Sequence, residues 1–115
     1  MSLDLLTKVD VIEVMENYVA TIRPPEHIRE NLDITYIIDN QSVLLQEVRP
    51  SVNDPKIKRA YGIAKATFIK SSNKWKVYWM RSNLKWTLYK PKPEVKTLKH
   101  FVDLVEQDSY HCFKG

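Results

Sequence analysis

Large apolar side chains alternate with polar and cationic ones along residues 64–88, and this period of two constrains the fold more than any other feature. Successive side chains of a β-strand point to opposite faces of a sheet, so the alternation predicts strands with one buried face. Short polar segments at residues 71–73 and 82–83 interrupt it and are typical of tight turns. We therefore expect three antiparallel strands, at residues 62–70, 74–81 and 84–90.

The pairing of these strands follows from the turns. If each turn is centred on its Ser-Asn pair, Ala66 lies opposite Trp79, and Trp79 opposite Trp86. Phe68 then lies opposite Val77. This register gathers the large apolar side chains on one face: Ala64, Ala66, Phe68, Trp75, Val77, Trp79, Leu84, Trp86 and Leu88. Burying three tryptophans at roughly 200 Å² each contributes on the order of 15 kcal/mol, comparable to the net stability of a whole domain. We expect the tryptophans to be core rather than stacking platforms.

The opposite face is predicted to be exposed and cationic, with Lys65 near Met80 and Thr67 near Tyr78. Lysines neutralise phosphates and tyrosine rings stack on bases, so this face suits nucleic acid or another polyanion. The predicted nucleic-acid-binding residues are Lys58, Arg59, Lys65, Lys76, Tyr78, Arg81, Lys85 and Tyr89. The alternative interpretation is an ordinary solvated face of an antiparallel sheet, where lysine and threonine are common.

The charges are divided unevenly along the chain, although the net charge is only +4. Residues 1–55 hold 4 Lys/Arg and 10 Asp/Glu, whereas residues 56–99 hold 13 Lys/Arg and one acid, Glu94. This division indicates one of two arrangements. Either the surface is bipolar and the basic part has an anionic partner, or the two segments face each other within the fold or across a dimer.

Each end of the chain carries the apolar spacing of an amphipathic helix. Within residues 4–22 the stripe is Leu5, Val9, Ile12, Met15, Val19 and Ile22. Pro24 and Pro25 end this helix because proline cannot continue the hydrogen-bond ladder. Near the C-terminus Thr97 can cap a second helix, with the stripe Leu98, Phe101, Val102 and Val105.

Residues 32–38 and 43–49 alternate as two further strands, joined by a two-residue loop at Asn40-Gln41. The loop pairs Ile38 with Val43 and Tyr36 with Leu45. The chain is therefore predicted to be a single α+β domain, residues 1–115. It has an N-terminal amphipathic helix, a five-stranded antiparallel meander and a C-terminal helix, with the helices packed over the Trp-rich sheet face.

No segment indicates an enzyme, a cofactor or a metal site. The candidate metal ligands lack ligand spacing: His27, His100, His111 and Cys112. Glu47 and Arg49 continue the apolar face of their strand, so both side chains would point inward. They indicate either a partly buried ion pair or the acidic arm of a metal-dependent nuclease, with Asp33 or Asp39 as second acid. We favour the ion pair, because arginine replaces the nuclease lysine and Asp39 lies at the turn.

The expected compartment is the cytoplasm. A single cysteine, Cys112, excludes an internal disulfide and suits a reducing environment. No apolar run approaches the ~18 residues that a membrane-spanning helix needs, so we expect no membrane partner.

Four segments carry a family resemblance: residues 24–29, residues 64–86, residues 94–98 and the closing Cys112-Phe113. The most specific stretch is Trp-Lys-Val-Tyr-Trp-Met-Arg, inside the second segment. With these segments the chain resembles, over nearly its whole length, an uncharacterised bacterial family, the domain-of-unknown-function family 3024. The resemblance implies a small bacterial cytoplasmic protein with no assigned activity, cofactor or site. His111 stands where we would expect the family's glycine, so a His-Cys metal pair is not expected as a family feature.

Two classes of function remain open. In the first, the protein is a binding module for nucleic acid that uses the basic sheet face. In the second, it is a protein-interaction module whose basic half meets an acidic protein or the acidic half of another copy in a homodimer. Salt separates them, because polyanion binding weakens steeply with salt whereas an apolar dimer contact persists.

Overall fold

The computed structural model describes residues 2–114, and its elements follow the predicted order. In chain order they are α1 Leu5–Ile22, β1 Asp33–Asp39, β2 Ser42–Pro50, β3 Lys58–Ile69, β4 Lys74–Met80, β5 Trp86–Leu88, β6 Glu94–Val95 and α2 Leu98–Gln107. A 3₁₀ turn at Glu26–Ile28 follows α1. The predicted α+β fold of helix, antiparallel sheet and helix is confirmed, and the sheet has one more short strand, β6, than predicted.

The ends of α1 follow from local sequence. The Asp4 carboxylate accepts a hydrogen bond from the Thr7 backbone N–H (2.7 Å), which satisfies one of the free donors of the first turn. Arg23 adopts extended backbone because it precedes Pro24. The Arg23 guanidinium then donates two hydrogen bonds of 2.8 Å to the Asp33 carboxylate, fixing the end of α1 beside the start of β1.

The buried face of α1 differs from the predicted face in the first half of the helix. Val11 and Met15 are fully buried, whereas Leu5, Val9 and Ile12 are exposed. The side chains packed on the core are Val11, Val14, Met15, Tyr18, Val19 and Ile22. The first two turns carry apolar side chains on several sides of the helix, so their spacing could not select the buried face.

The six strands form one antiparallel sheet in which β1 to β5 lie in chain order. The predicted β1–β2 register is confirmed, with Ile38 opposite Val43 and Tyr36 opposite Leu45. On the other side of the sheet, β5 pairs with the end of β4 and β6 pairs with its beginning, so the two short strands share one edge.

A β-bulge in β3 exchanges the faces of that strand. Leu45 pairs with Ala64, but the next residue of β2, Gln46, pairs with Gly62, so Ile63 is the extra residue. Ala64 is fully buried against the helices, whereas Gly62 lies on the opposite side of the sheet. The residues that precede Gly62 are displaced in the same way.

The β3–β4 turn is two residues longer than predicted. Ile69 pairs with Lys74 across a four-residue loop, in which Asn73 has a left-handed backbone (φ 55°). The observed pairs are Ala64 with Trp79, Lys65 with Tyr78, Ala66 with Val77, Thr67 with Lys76 and Phe68 with Trp75. Each partner differs by two residues from the predicted one, which corrects the register but leaves every side chain on its predicted face.

The β4–β5 turn is one residue longer than predicted, and this shift, unlike the two-residue shift at the β3–β4 turn, changes the face on which side chains lie. The Leu84 N–H donates to the Arg81 carbonyl (2.9 Å), and Leu84 has a left-handed backbone (φ 62°). This is a turn followed by a bulge, so the loop holds three residues instead of two. Met80 therefore pairs with Trp86, and the predicted pair of Trp79 with Trp86 is wrong.

The one-residue shift redistributes the apolar block between the two faces. Trp75 and Trp79 lie on the core face, whereas Trp86 and Leu88 lie on the opposite face. Tyr89 moves the other way: it is buried, with its ring centroid 4.8 Å from that of Phe113. The helices thus cover two of the three tryptophans.

Helix α2 and the tail complete the core as predicted. Thr97 caps α2 by accepting a hydrogen bond from the His100 N–H (3.2 Å). The predicted stripe is buried in full: Leu98, Phe101, Val102 and Val105. Asp108 ends the helix with a left-handed backbone (φ 44°), and its carboxylate accepts hydrogen bonds from the backbone of Phe113 and Lys114. These bonds dock the tail on the body of the domain.

The strained backbone at Leu84 gives a test of the β4–β5 turn. A left-handed backbone costs a non-glycine residue roughly 1–2 kcal/mol. Leu84 is 73% exposed, so little packing is lost when its side chain is removed. We expect Leu84→Gly to raise the free energy of unfolding by about 1 kcal/mol, measured by denaturant titration. Leu88→Gly, the same change within β5, is expected to lower it. A Leu84→Gly protein less stable than the parent would contradict this turn geometry.

Candidate nucleic-acid interface

One face of the sheet is not covered by either helix. The fully buried residues of β2, β3 and β4 all lie on the face that packs against α1 and α2. We call the other side the open face and define it by Leu44, Lys65, Thr67, Lys76, Tyr78, Met80, Trp86 and Leu88. All of these side chains are partly exposed, so the open face is a surface of the domain.

The centre of the open face is a lysine between two aromatic rings. Lys65 lies opposite Tyr78 in the β3–β4 register, and its Nζ is 4.7 Å from the centroid of the Tyr78 ring. The same Nζ is 5.3 Å from the centroid of the Trp86 ring. Partial burial lowers the pKa of Lys65, and the Asp39 carboxylate opposes this by favouring the charged form. The rings attract the ammonium group through their negative faces.

Trp86 is held on the open face by a glycine. A Cβ atom built at Gly62 would lie 2.6 Å from Trp86 Cζ2 and 2.7 Å from Trp86 Cη2, so the indole ring rests directly on the Gly62 backbone. Met80 Cε would lie 3.2 Å from the same Cβ. The bulge at Ile63 is what turns Gly62 toward the open face. Sequence reasoning missed both Gly62 and Trp86, although an isolated glycine in a strand pattern is a known signal for a bulge or a close approach.

The structure divides the predicted site residues into three groups. Lys65, Lys76 and Tyr78 are brought together on the open face. Lys58, at the start of β3, and Lys85, in the β4–β5 turn, are exposed at its end. Arg59, Arg81 and Tyr89 are placed elsewhere.

Each of these three residues has a physical reason for its position. The bulge puts Arg59 on the helix side of β3, where it pairs with Arg49. The guanidinium carbon of Arg81 is 5.9 Å from the centroid of Trp79, which lies on the core face. Tyr89 is only 2% exposed, so it does not share the exposed face on which it was predicted.

The open face is bordered by acids on both sides. Glu94 of β6 is the cross-strand partner of Lys76, at one edge of the sheet. Asp39, at the end of β1, lies on the same face near the other edge. The open face therefore has acids at its borders and none on β3, β4 or β5.

Within the described part of the chain, no ion pair joins the acidic segment, residues 1–55, to the basic segment, residues 56–99. The salt bridges within residues 2–114 are Arg23–Asp33, Arg49–Glu47, Lys99–Asp103 and Lys114–Glu106. None of them links residues 1–55 to residues 56–99. The helix side of the domain also has a groove of about 410 Å³ between α1 and α2, with Asp10, Glu13, Asp103 and Glu106 in its lining. Acidic side chains thus line the side of the sheet that faces away from the lysines.

The candidate nuclease residues and the single thiol do not form a common site. Arg49 Nε lies 3.5 Å from Glu47 Oε1, which confirms the ion pair. Asp39 pairs with Ser42 at the other end of the hairpin, and Asp33 is bound by Arg23. Burial raises the pKa of the Cys112 thiol, with a smaller contribution from Asp108, which disfavours a thiolate nucleophile.

Within residues 2–114, no three His, Cys, Asp or Glu side chains are grouped so that they could hold a metal ion. Over the same residues, neither helix is apolar enough along sufficient length to cross a membrane.

The fold and the open face define a small α+β protein with a sheet covered on one side only. The chain matches the family model described as Domain of unknown function (DUF3024) over residues 3–115, and it belongs to this family. The family resemblance noted in its sequence is thereby confirmed. No curated protein and no solved structure matches the chain. Family membership assigns no activity to the chain.

The contact between Gly62 and Trp86 can be tested by a double-mutant cycle. Because the new methyl group would overlap the indole ring, we expect Gly62→Ala to lower the free energy of unfolding by about 1–3 kcal/mol. In a Trp86→Ala background the same change is expected to be neutral or stabilising, since alanine is the better strand residue. Equal costs of Gly62→Ala in both backgrounds, measured by denaturant titration, would show that the ring does not rest on Gly62.

Proposed function

We propose that this protein binds single-stranded nucleic acid on the open face. The observation that carries the proposal is the position of Lys65, with its ammonium group between the rings of Tyr78 and Trp86 on a sheet face that no helix covers. Lysine supplies a counter-charge for phosphate, and partly exposed rings supply surfaces on which bases stack. A sheet that presents both is a common way to hold an unpaired strand.

The apolar part of the open face favours a single strand over a duplex. Leu44, Met80 and Leu88 are partly exposed beside the two rings. A duplex presents phosphates and groove edges to a protein and keeps its bases stacked inside, so it offers nothing to these side chains. An unpaired strand offers the faces of its bases, and each stacked base contributes about 1–3 kcal/mol.

The distribution of charge supports the same proposal. Lys65, Lys74 and Lys76 lie on one face of β3 and β4, and Lys58 and Lys85 lie at its end. The acidic groove between the helices lies on the other side of the sheet. A phosphate backbone is therefore attracted to one side of the domain and repelled from the other, which orients the strand as it approaches.

We also propose a cytoplasmic location, the compartment expected from the sequence. The single thiol, Cys112, is unpaired. A reducing compartment that contains unpaired nucleic-acid strands suits such a protein.

Fluorescence anisotropy with labelled single-stranded and duplex oligomers tests the proposal. We expect micromolar or tighter binding of single strands at physiological salt, and weaker binding of the duplex. Trp86→Ala is expected to weaken binding roughly 5- to 150-fold through lost stacking. Lys76→Gln is expected to reduce the salt slope by about 0.7 through one lost phosphate contact.

Lys8→Gln is the matched control, because it removes the same charge from exposed surface of α1. Circular dichroism confirms that each variant is folded. Binding that disappears below physiological salt, or that responds to Lys8→Gln as strongly as to Lys76→Gln, would overturn the proposal and redirect the search to acidic proteins.

A homodimer is the second candidate, and the two edges of the sheet favour it. Strand β1 is an edge strand of seven residues without proline or lysine, so nothing in its sequence blocks pairing with a further strand. The opposite edge is short and lies beside Pro91 and Pro93. Helix α1 packs beside β1, so a two-fold axis that pairs β1 with its copy would bring the exposed Leu5, Val9 and Ile12 of both copies close together.

Sedimentation equilibrium at low and at 1 M salt tests this candidate. An apolar strand-and-helix contact predicts a dimer that persists at high salt. Val9→Lys is expected to weaken the dimer at least tenfold, whereas Ile57→Lys, which changes an exposed loop residue, leaves it intact. A protein that stays monomeric at about 100 μM under both salt conditions excludes the dimer.

A further inference from the structure

The first half of β3 has no neighbouring strand on the β4 side, which leaves a gap at that edge outside the open face. Pairing of β3 with β4 ends at Ala64 and Trp79, so residues 58–63 have no partner strand on that side. Met80 and Leu84 stand across the gap and enclose a cleft of about 540 Å³ together with Arg49, Arg59 and Tyr61. This volume is within the usual range for small-molecule sites, about 300–1,000 Å³.

Two arginines meet in this cleft as direct cross-strand partners. Arg49 of β2 pairs with Arg59 of β3, and like charges in this position destabilise a sheet. Glu47 lies 3.5 Å from Arg49 and neutralises one of them. Arg59 donates from Nε to the Ser51 hydroxyl (3.3 Å), and no carboxylate within residues 2–114 lies within 4 Å of its nitrogens. The pair therefore carries an uncompensated positive charge that an anion would relieve.

The chemistry of the cleft favours a phosphate monoester. Guanidinium groups bind phosphate through two parallel hydrogen bonds, and a monoester carries nearly one charge more than a diester at neutral pH. Arg49 is already oriented, with its guanidinium carbon 4.4 Å from the centroid of the Tyr61 ring. Met80 and Leu84 form an apolar wall, which suits a sugar or base attached to the phosphate.

The cleft continues into the open face. Met80 lines the cleft and also lies on the open face opposite Trp86. Gly62 lines the cleft and supports the Trp86 ring. Arg49 and Arg59 lie on the helix side of β3, so a strand whose bases lie on Tyr78 and Trp86 reaches them with its end through the gap beside residues 58–63.

We infer that the cleft binds the terminal phosphate of the strand that occupies the open face. This inference rests on the proposed function and deepens it, because it makes the protein a reader of phosphorylated strand ends. A terminal phosphate carries nearly one charge more than an internal phosphate and has three free oxygens instead of two, so it pairs better with two arginines at once. The shared ligand chemistry is a phosphate monoester on a nucleoside, found in a strand end and in a free nucleotide.

The experiment compares oligomers of one sequence that carry a 5′-phosphate, a 3′-phosphate or only hydroxyl ends, with the dye attached internally. We expect the protein to prefer one phosphorylated end about tenfold in Kd over the hydroxyl form. Arg59→Gln is expected to bring this ratio close to one. Arg59→Lys is expected to retain part of it, since lysine keeps the charge but cannot form the two parallel hydrogen bonds of a guanidinium group. Lys8→Gln is expected to keep the full ratio.

Glu47→Gln gives a result of opposite sign. Removing the carboxylate that competes for Arg49 is expected to increase the ratio at least twofold. This gain separates ligand competition from structural damage, because a damaged cleft would lose the preference. Circular dichroism and denaturant titration confirm that each variant is folded.

Four results would overturn the inference. Equal affinity of the parent protein for all three oligomers would do so while leaving the proposed function intact. A preference that persists in Arg59→Gln would place the phosphate elsewhere. Adenosine monophosphate that binds as tightly as the phosphorylated oligomer would identify a free nucleotide as the ligand. If no oligomer binds, the proposed function and this inference fail together.

Discussion

Both helices pack on the same face of the sheet, and this one-sided cover governs the rest of the structure. Because of this one-sided cover, each strand residue faces either the helix-covered core or water. Its position in the alternation decides between these two environments. Val43, Leu45, Ala64, Ala66 and Val77 occupy core positions and are fully buried or nearly so. The alternate positions must then tolerate exposure, which is why lysine and threonine recur there.

Two irregularities shift the alternation by one residue, and together they create the centre of the open face. The bulge at Ile63 turns Gly62 away from the helices, and the left-handed Leu84 turns Trp86 the same way. Neither shift alone would bring the Trp86 ring and Gly62 into contact. With Trp86 on the open face, the residue beneath its ring must lack a side chain, and Gly62 meets this need. Without the Trp86 ring, the surface of Gly62 beside Met80 would be uncovered. The ring and the glycine are therefore two parts of one packing solution.

The period-two pattern was sufficient to predict β1 to β5, the β1–β2 register and the face of every residue in β4, but not the two-residue strand β6. The Thr97 cap and the α2 stripe were equally predictable, because they depend on contacts within a few residues. The faces of the sheet on which Trp86 and Tyr89 lie could not be predicted from the sequence. Their faces depend on whether the loop before them holds two residues or three, and a Ser-Asn pair is compatible with both. The exposed start of α1 was also beyond prediction, since only the tertiary neighbours distinguish Leu5 from Val11.

The placement of lysine and arginine offers a physical reason to treat the open face and the cleft as parts of one surface. Lysine dominates the open face, where a flexible point charge can follow phosphates whose positions vary with the stacked bases. Arginine occupies the cleft, where Arg49 contacts Glu47 and the Tyr61 ring, and Arg59 donates a hydrogen bond to Ser51. A rigid, planar donor is useful only where the anion has one defined position. Along a polyanionic strand, the position that is both unique and most highly charged is a phosphorylated end.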